Sequence, residues 1–143
     1  MKLNKFSLVD NNITVEKNSV QYDLKHCFFF VGMNYDIINQ ELSLRWIKGL
    51  GDGVTDNLPD ELVFEFSGVS FLKARQRDLS RPYPPDEFLS VMGFTQNSRI
   101  DEFGGGYTHQ PGAACNHLCL EFASGFALKF AAEEGALSTK VNI

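Results

Sequence analysis

Cysteine is scarce in this chain. Cys27, Cys115 and Cys119 form an odd set, so at least one thiol stays unpaired. A chain of 143 residues buries about two thirds of its surface on folding and needs no disulfide staple. Reduced, buried thiols are therefore expected. No run of about 18 apolar residues occurs, which excludes a transmembrane helix. The opening Met1-Lys2-Leu3-Asn4-Lys5 lacks the apolar stretch and small-residue cleavage site of a signal peptide, so a cytoplasmic, membrane-free location is expected. Basic residues are also in deficit, 13 against 18 acidic, for a net charge of −5. That balance argues against a general nucleic-acid binder, which needs clustered Lys and Arg for phosphates, and favours basic partners. Neither G-x-S-x-G, G-x-x-x-x-G-K-[ST] nor G-x-G-x-x-G is present. A serine hydrolase and a phosphate cradle are both disfavoured, and no cofactor and no catalytic residue is expected.

What the chain does have is 13 phenylalanines and a strong two-residue periodicity. Leu42, Leu44 and Trp46 alternate with Glu41, Ser43 and Arg45. Leu62, Phe64 and Phe66 repeat the pattern, as do Leu118, Leu120 and Phe122 and then Phe126, Leu128 and Phe130, separated by Ser124-Gly125. Asp10-Asn11-Asn12 predicts an N-terminal hairpin between residues 5–9 and 13–17. Residues 19–38 read as one extended region, with Gly32 marking a bulge or a close backbone contact. Gly68 reads as a bulge that switches the phase before Val69 and Phe71, and residues 136–141 as a final strand. Pro85-Asp86-Glu87 resembles a helix start, with Phe88, Leu89 and Met92 sharing a face, which predicts one short helix near 85–92. Long loops are expected at 49–60, 73–85 and 96–114. The fold class is mainly β, bordering on α+β. It is expected to be one domain over 1–143, an antiparallel sheet of about seven or eight strands curled into a sandwich or partial barrel.

Three groups of side chains bear on chemistry. Residues 73–81 hold four basic groups and one acidic, inside an otherwise acidic chain. At period two Lys73, Arg75 and Arg77 line one strand face. With Arg81 and Tyr83 they can grip carboxylates or phosphate, or simply guard a sheet edge. Tyr107 and His109, just past Gly104-Gly105-Gly106, complete the candidate partner-binding set. Cys115, His117 and Cys119 alternate onto one face, a thiolate–imidazole–thiolate set for zinc. Next-but-one residues of a strand stand about 6.5–7 Å apart, however, which is wide for ligands at about 2.3 Å. Buried thiols flanking a hydrogen-bonded histidine are the simpler account, and no bound metal is expected. The pairs Asp60-Glu61, Asp86-Glu87, Asp101-Glu102 and Glu133-Glu134 read as solvated edges.

In size, acidity and β-rich pattern, notably Leu118-Cys119-Leu120-Glu121-Phe122-Ala123-Ser124-Gly125-Phe126 running into Phe130-Ala131-Ala132-Glu133-Glu134, the chain resembles bacterial immunity-type proteins. That resemblance implies binding and neutralising a toxin. The expected function is a non-enzymatic protein-binding module. A small-molecule or carbohydrate-binding β-barrel that uses Trp46, Tyr83 and Tyr107 is the alternative, and a zinc-dependent enzyme the third.

Overall fold

Strands dominate the architecture because the period-two segments pair with their apolar faces in register. The computed structural model describes residues 1–51, 53–80 and 87–142, and among these there are twelve strands and no helix. In chain order they are β1 (Lys2–Asn4), β2 (Ser7–Leu8), β3 (Thr14–Lys17), β4 (Val20–Asp23), β5 (Phe28–Asp36), β6 (Glu41–Lys48), β7 (Glu61–Ser67), β8 (Phe71–Arg75), β9 (Leu89–Thr95), β10 (His117–Phe122), β11 (Ala127–Ala131) and β12 (Glu134–Lys140). They form a five-stranded sheet ordered β1-β12-β7-β6-β5, a four-stranded sheet ordered β8-β11-β10-β9, and a three-stranded sheet ordered β2-β3-β4. All pairings are antiparallel except β1 with β12, which is parallel.

In β6 and β7 the pairs Leu42↔Phe66, Leu44↔Phe64 and Trp46↔Leu62 put all six apolar side chains on one buried face. In β10 and β11, Leu118↔Phe130 and Leu120↔Leu128 do the same. The two inner faces then meet. Phe66 lies edge-on to Phe130 with ring centroids 4.7 Å apart, Phe30 lies 4.9 Å from Phe122, and Trp46 stacks on Phe122 at 6.1 Å. Burying a ring of this kind removes about 150–250 Å² from water, worth roughly 4–6 kcal/mol at about 25 cal/mol per Å² before ordering entropy is subtracted. The small sheet closes one side through Phe6, 5.6 Å from Phe64, and Tyr22, 6.3 Å from Phe28.

Several expectations are corrected. Among the described residues no sheet closes into a barrel, and the strands number twelve where seven or eight were expected. The helix near 85–92 is absent from its described part, where β9 begins at Leu89; Pro85 and Asp86 lie outside the described residues. The pairing explains the false signal. Leu89 faces Phe122 and Val91 faces Glu121, so Ser90 is an extra residue, and the bulge spaces the inward Leu89 and Met92 three apart as in a helix. Gly68 is a corner and not a bulge. At φ +65° it turns the chain out of β7 so that β8 joins the other large sheet. Residues 19–38 divide into β4 and β5, while the register shift between Phe30 and Gly32 gives the bulge expected there.

Candidate functional site

The outer face of the four-stranded sheet carries polar side chains that a soluble sheet would normally leave wet, yet several are buried. Opposite positions on β8, β11 and β10 bring Lys73, Lys129 and Cys119 into one row across the strands, and Arg75, Ala127 and Glu121 into the next. The loop 96–114 folds back over both rows. Its base is fastened by Asn97, whose backbone N–H donates to Ala114 O at 2.9 Å and whose side-chain oxygen accepts from Asn116 N–H at 2.7 Å. Further along, Thr108 exchanges two backbone hydrogen bonds with Phe94 of β9, at 2.8 and 3.0 Å.

Between those fastenings the sheet holds the loop by charge. Lys73 Nζ meets Asp101 Oδ1 at 2.8 Å, and the Arg75 guanidinium sits 5.1 Å from the Phe103 ring centre while pairing with Glu121 at 3.3 Å. Lys129 has no exposed surface, and its amine donates to the backbone carbonyls of Arg99 and, at 3.0 Å, Glu102. Burial pushes its pKa down, opposed by the neighbouring Cys119 and Glu102. Tyr107 donates its phenolic proton to the Glu121 carboxylate. Its oxygen, 3.6 Å from Cys119 Sγ, is left to accept from the thiol. Burial, then the Glu121 hydrogen bond, raises the Tyr107 pKa, and burial raises that of Cys119. A thiol kept protonated is a poor nucleophile. His117 is likewise held toward its neutral form, first by burial and then by Lys129. Its ring lies 4.8 Å from Phe71, and its Nδ1 is buried without a partner. The cluster therefore fastens a loop and lacks an activated nucleophile.

The candidate residues thus separate. Arg75 and Tyr107 are brought together at Glu121, but as intramolecular clamps. Arg77 lies beyond the end of β8. Arg81 and Tyr83 lie outside the described residues. His117 and Cys119 share the outer face of β10, whereas Cys115 precedes the strand in a turn closed by mutual backbone bonds with Gly112. Cys115 instead lines, with Tyr107 and His109, a shallow open depression of about 500 Å³. Among the described residues, no three His, Cys, Asp or Glu side chains are grouped so as to hold a metal ion. Of the rings expected to line a ligand pocket, Tyr83 lies outside the described residues, Tyr107 borders the open depression while its hydroxyl is bonded to Glu121, and Trp46 belongs to the core. Trp46 is fully buried, and the cavity beside it is about 10 Å³, the lower limit for one water.

A surface that the sequence reading passed over lies on the other large sheet. Its outward row Asn34, Ser43, Glu65, Ala136 and the adjacent row Asp36, Glu41, Ser67, Glu134 line an open groove of about 380 Å³. Asp36, Glu41, Glu65 and Glu134 supply four carboxylates, and among the described residues no Lys or Arg lines the groove. Glu134 is within reach of the Asn4 amide at 3.2 Å and the Ser67 hydroxyl at 3.4 Å, and Asp36 accepts from Asn39 at 2.8 Å, so the local partners are neutral. The Asn39 backbone N–H, at 3.0 Å, and then the Asn39 side-chain amide hold the Asp36 carboxyl below its ordinary pKa. The signal was present in the alternation of Glu41-Ser43 and Glu65-Ser67, but only strand register shows that these positions converge with Glu134. At the same end of the sheet the β5–β6 turn exposes Ile37 and Ile38, at 73% and 92% of their full surface.

No helix of the described residues is long and apolar enough to cross a membrane. Comparison with protein-family models matches none of them, and comparisons with characterised proteins and with solved structures return no match.

Proposed function

We propose that this chain is a non-enzymatic protein-binding module of the immunity type, which engages a basic partner through the outer face of its five-stranded sheet. One observation carries the reading: four carboxylates line a single groove whose described lining holds no Lys or Arg, with Lys2 opposite Glu134 at its β1 edge and two exposed isoleucines beside it. Unpaired like charges in one place repel each other, a cost that a cationic partner reverses, and apolar tips next to them supply the buried area that charge alone does not. Rigidity of the strands keeps the ordering cost of such contacts low.

Charge reversal tests this directly. The double variant Glu41→Lys, Glu65→Lys is compared with Asp10→Lys, Asp56→Lys, which changes net charge equally but away from the groove. Binding of a fluorescent lysine-rich peptide is followed by anisotropy at low and moderate salt. A loss of tenfold or more confined to the groove variant supports the reading; equal losses in both variants overturn it.

A further inference from the structure

The five-stranded sheet ends in β5, and among the described residues no strand lies beyond it. At the start of β5 the Phe30 N–H points away from β6 and donates to Glu87 O at 3.0 Å, so that part of the edge is covered. Antiparallel pairing alternates the direction of the backbone groups. Past the bulge at Val31, the pairs Met33↔Leu44 and Tyr35↔Leu42 fall in the same class as Phe30↔Trp46, which turns the N–H and C=O groups of Met33 and Tyr35 outward. Natural edges are guarded by Lys, Pro or inward charges; from Val31 to Tyr35 there is none, and the bulge lies at one end only. Val31 and Met33 are both exposed there.

The two faces of this edge differ in chemistry. Met33 and Tyr35 share the inner face with Leu44 and Leu42, and Tyr35 packs against the core. Asn34 and Asp36 share the outer face with Ser43 and Glu41 and line the acidic groove. A strand added about 4.8 Å beyond β5 would extend both layers, with every second side chain beside Met33 and Tyr35 and the intervening ones beside Asn34 and Asp36. We infer that the β5 edge from Val31 to Tyr35, unpaired among the described residues, takes up an extended segment of a partner protein in which apolar and basic residues alternate. Main-chain hydrogen bonds to Met33 and Tyr35 hold this segment, and its basic side chains lie over the groove. The inference rests on the protein-binding reading above and adds how the partner is held.

The probes are two short peptides, each acetylated at one end and amidated at the other and each built from four lysines and four valines. In one the lysines and valines alternate; in its block isomer all the lysines precede all the valines, so charge and composition are the same. Both are titrated against the full chain while amide hydrogen exchange is followed. The alternating peptide is expected to bind at least tenfold more tightly and to slow exchange at Met33 and Tyr35, and a version N-methylated on the residues facing β5 is expected to lose that advantage. In the protein, Met33→Pro should abolish the preference and Met33→Leu should keep it; the exchange measurement on the unaltered chain stands even where the proline variant folds poorly. Equal affinity of the two isomers with unchanged exchange at Met33 and Tyr35 overturns the edge inference while leaving the acidic groove in place. Failure of both peptides to bind overturns the groove reading and this inference together.

Discussion

Lys129 and Cys119 stand directly opposite each other on β11 and β10, both with no exposed surface, on the face of the sheet that the loop 96–114 covers. The pair faces outward, so the loop and not the core excludes water from it. The Lys129 amine spends its hydrogen bonds on the carbonyls of Arg99 and Glu102. Replacing Lys129 by Met strips those carbonyls of their partner, and a lost buried hydrogen bond of this kind costs about 1–3 kcal/mol. Urea denaturation of Lys129→Met should show a loss of that order together with faster amide exchange across residues 99–108. The exposed Lys25→Met should stay within about 0.5 kcal/mol of the parent.

The same cover should set thiol reactivity. Cys119 is buried and its pKa is raised by desolvation, while Cys27 and Cys115 are partly exposed. Under native conditions near pH 8, Cys119 should react with a disulfide reagent on the order of a hundredfold more slowly than Cys115. Tyr107→Phe removes the clamp to Glu121 and should narrow that gap. An unchanged rate in Tyr107→Phe would show that the phenol does not hold the loop.

His117 gives stability a pH dependence with a defined sign. Burial lowers its pKa in the folded state, so between the ordinary histidine value, about 6.5, and the depressed one, the unfolded chain binds a proton that the folded chain refuses. Its contribution is unaffected above about pH 6.5 and turns unfavourable as pH falls below that, with a limiting slope of about 1.4 kcal/mol per pH unit. The His117→Phe variant should lose this component of the stability profile measured between pH 7 and pH 5.

Gly93 of β9 sits under the loop. An added Cβ would lie 2.9 Å from Tyr107 Cβ and 3.1 Å from the Thr108 carbonyl oxygen, so Gly93→Ala must push the loop off the sheet. A destabilisation of about 1–3 kcal/mol is expected, with loss of protection at Phe94 and Thr108. Gly112→Ala, where the same atom meets nothing within 4 Å, should be near neutral.

Alternation made the core legible. Leu42 through Phe66 and Leu118 through Phe130 fall on buried faces as their spacing demands, with Phe126 partly buried at the hairpin end. The turn at Asn11-Asn12 was also readable, because Asn12 takes φ +59° and the Asn11 side chain accepts from the N–H groups of Ile13 and Thr14. What stayed hidden was whatever depends on register. The bulge at Ser90 made a strand look helical, and the corner at Gly68 looked like a bulge because one chain cannot show a change of sheet. Lys73 and Arg75, read as a grip on a partner's carboxylates or as a guarded edge, pair with Asp101 and Glu121 of the same chain. The acidic groove joins Asp36 and Glu134, almost a hundred positions apart, and nothing local to either announces the other.

Residues 2–4 lie alongside residues 134–136. In the sheet order β1-β12-β7-β6-β5, β1 has no seat until β12, far along the chain from it, has been laid against β7. Contacts between such distant positions slow the search for the native state, since a long loop must close before any of its reward is collected. Assembly of the large sheet therefore closes at its β1 edge, where the strand that comes first in chain order is seated only after β12 is in place.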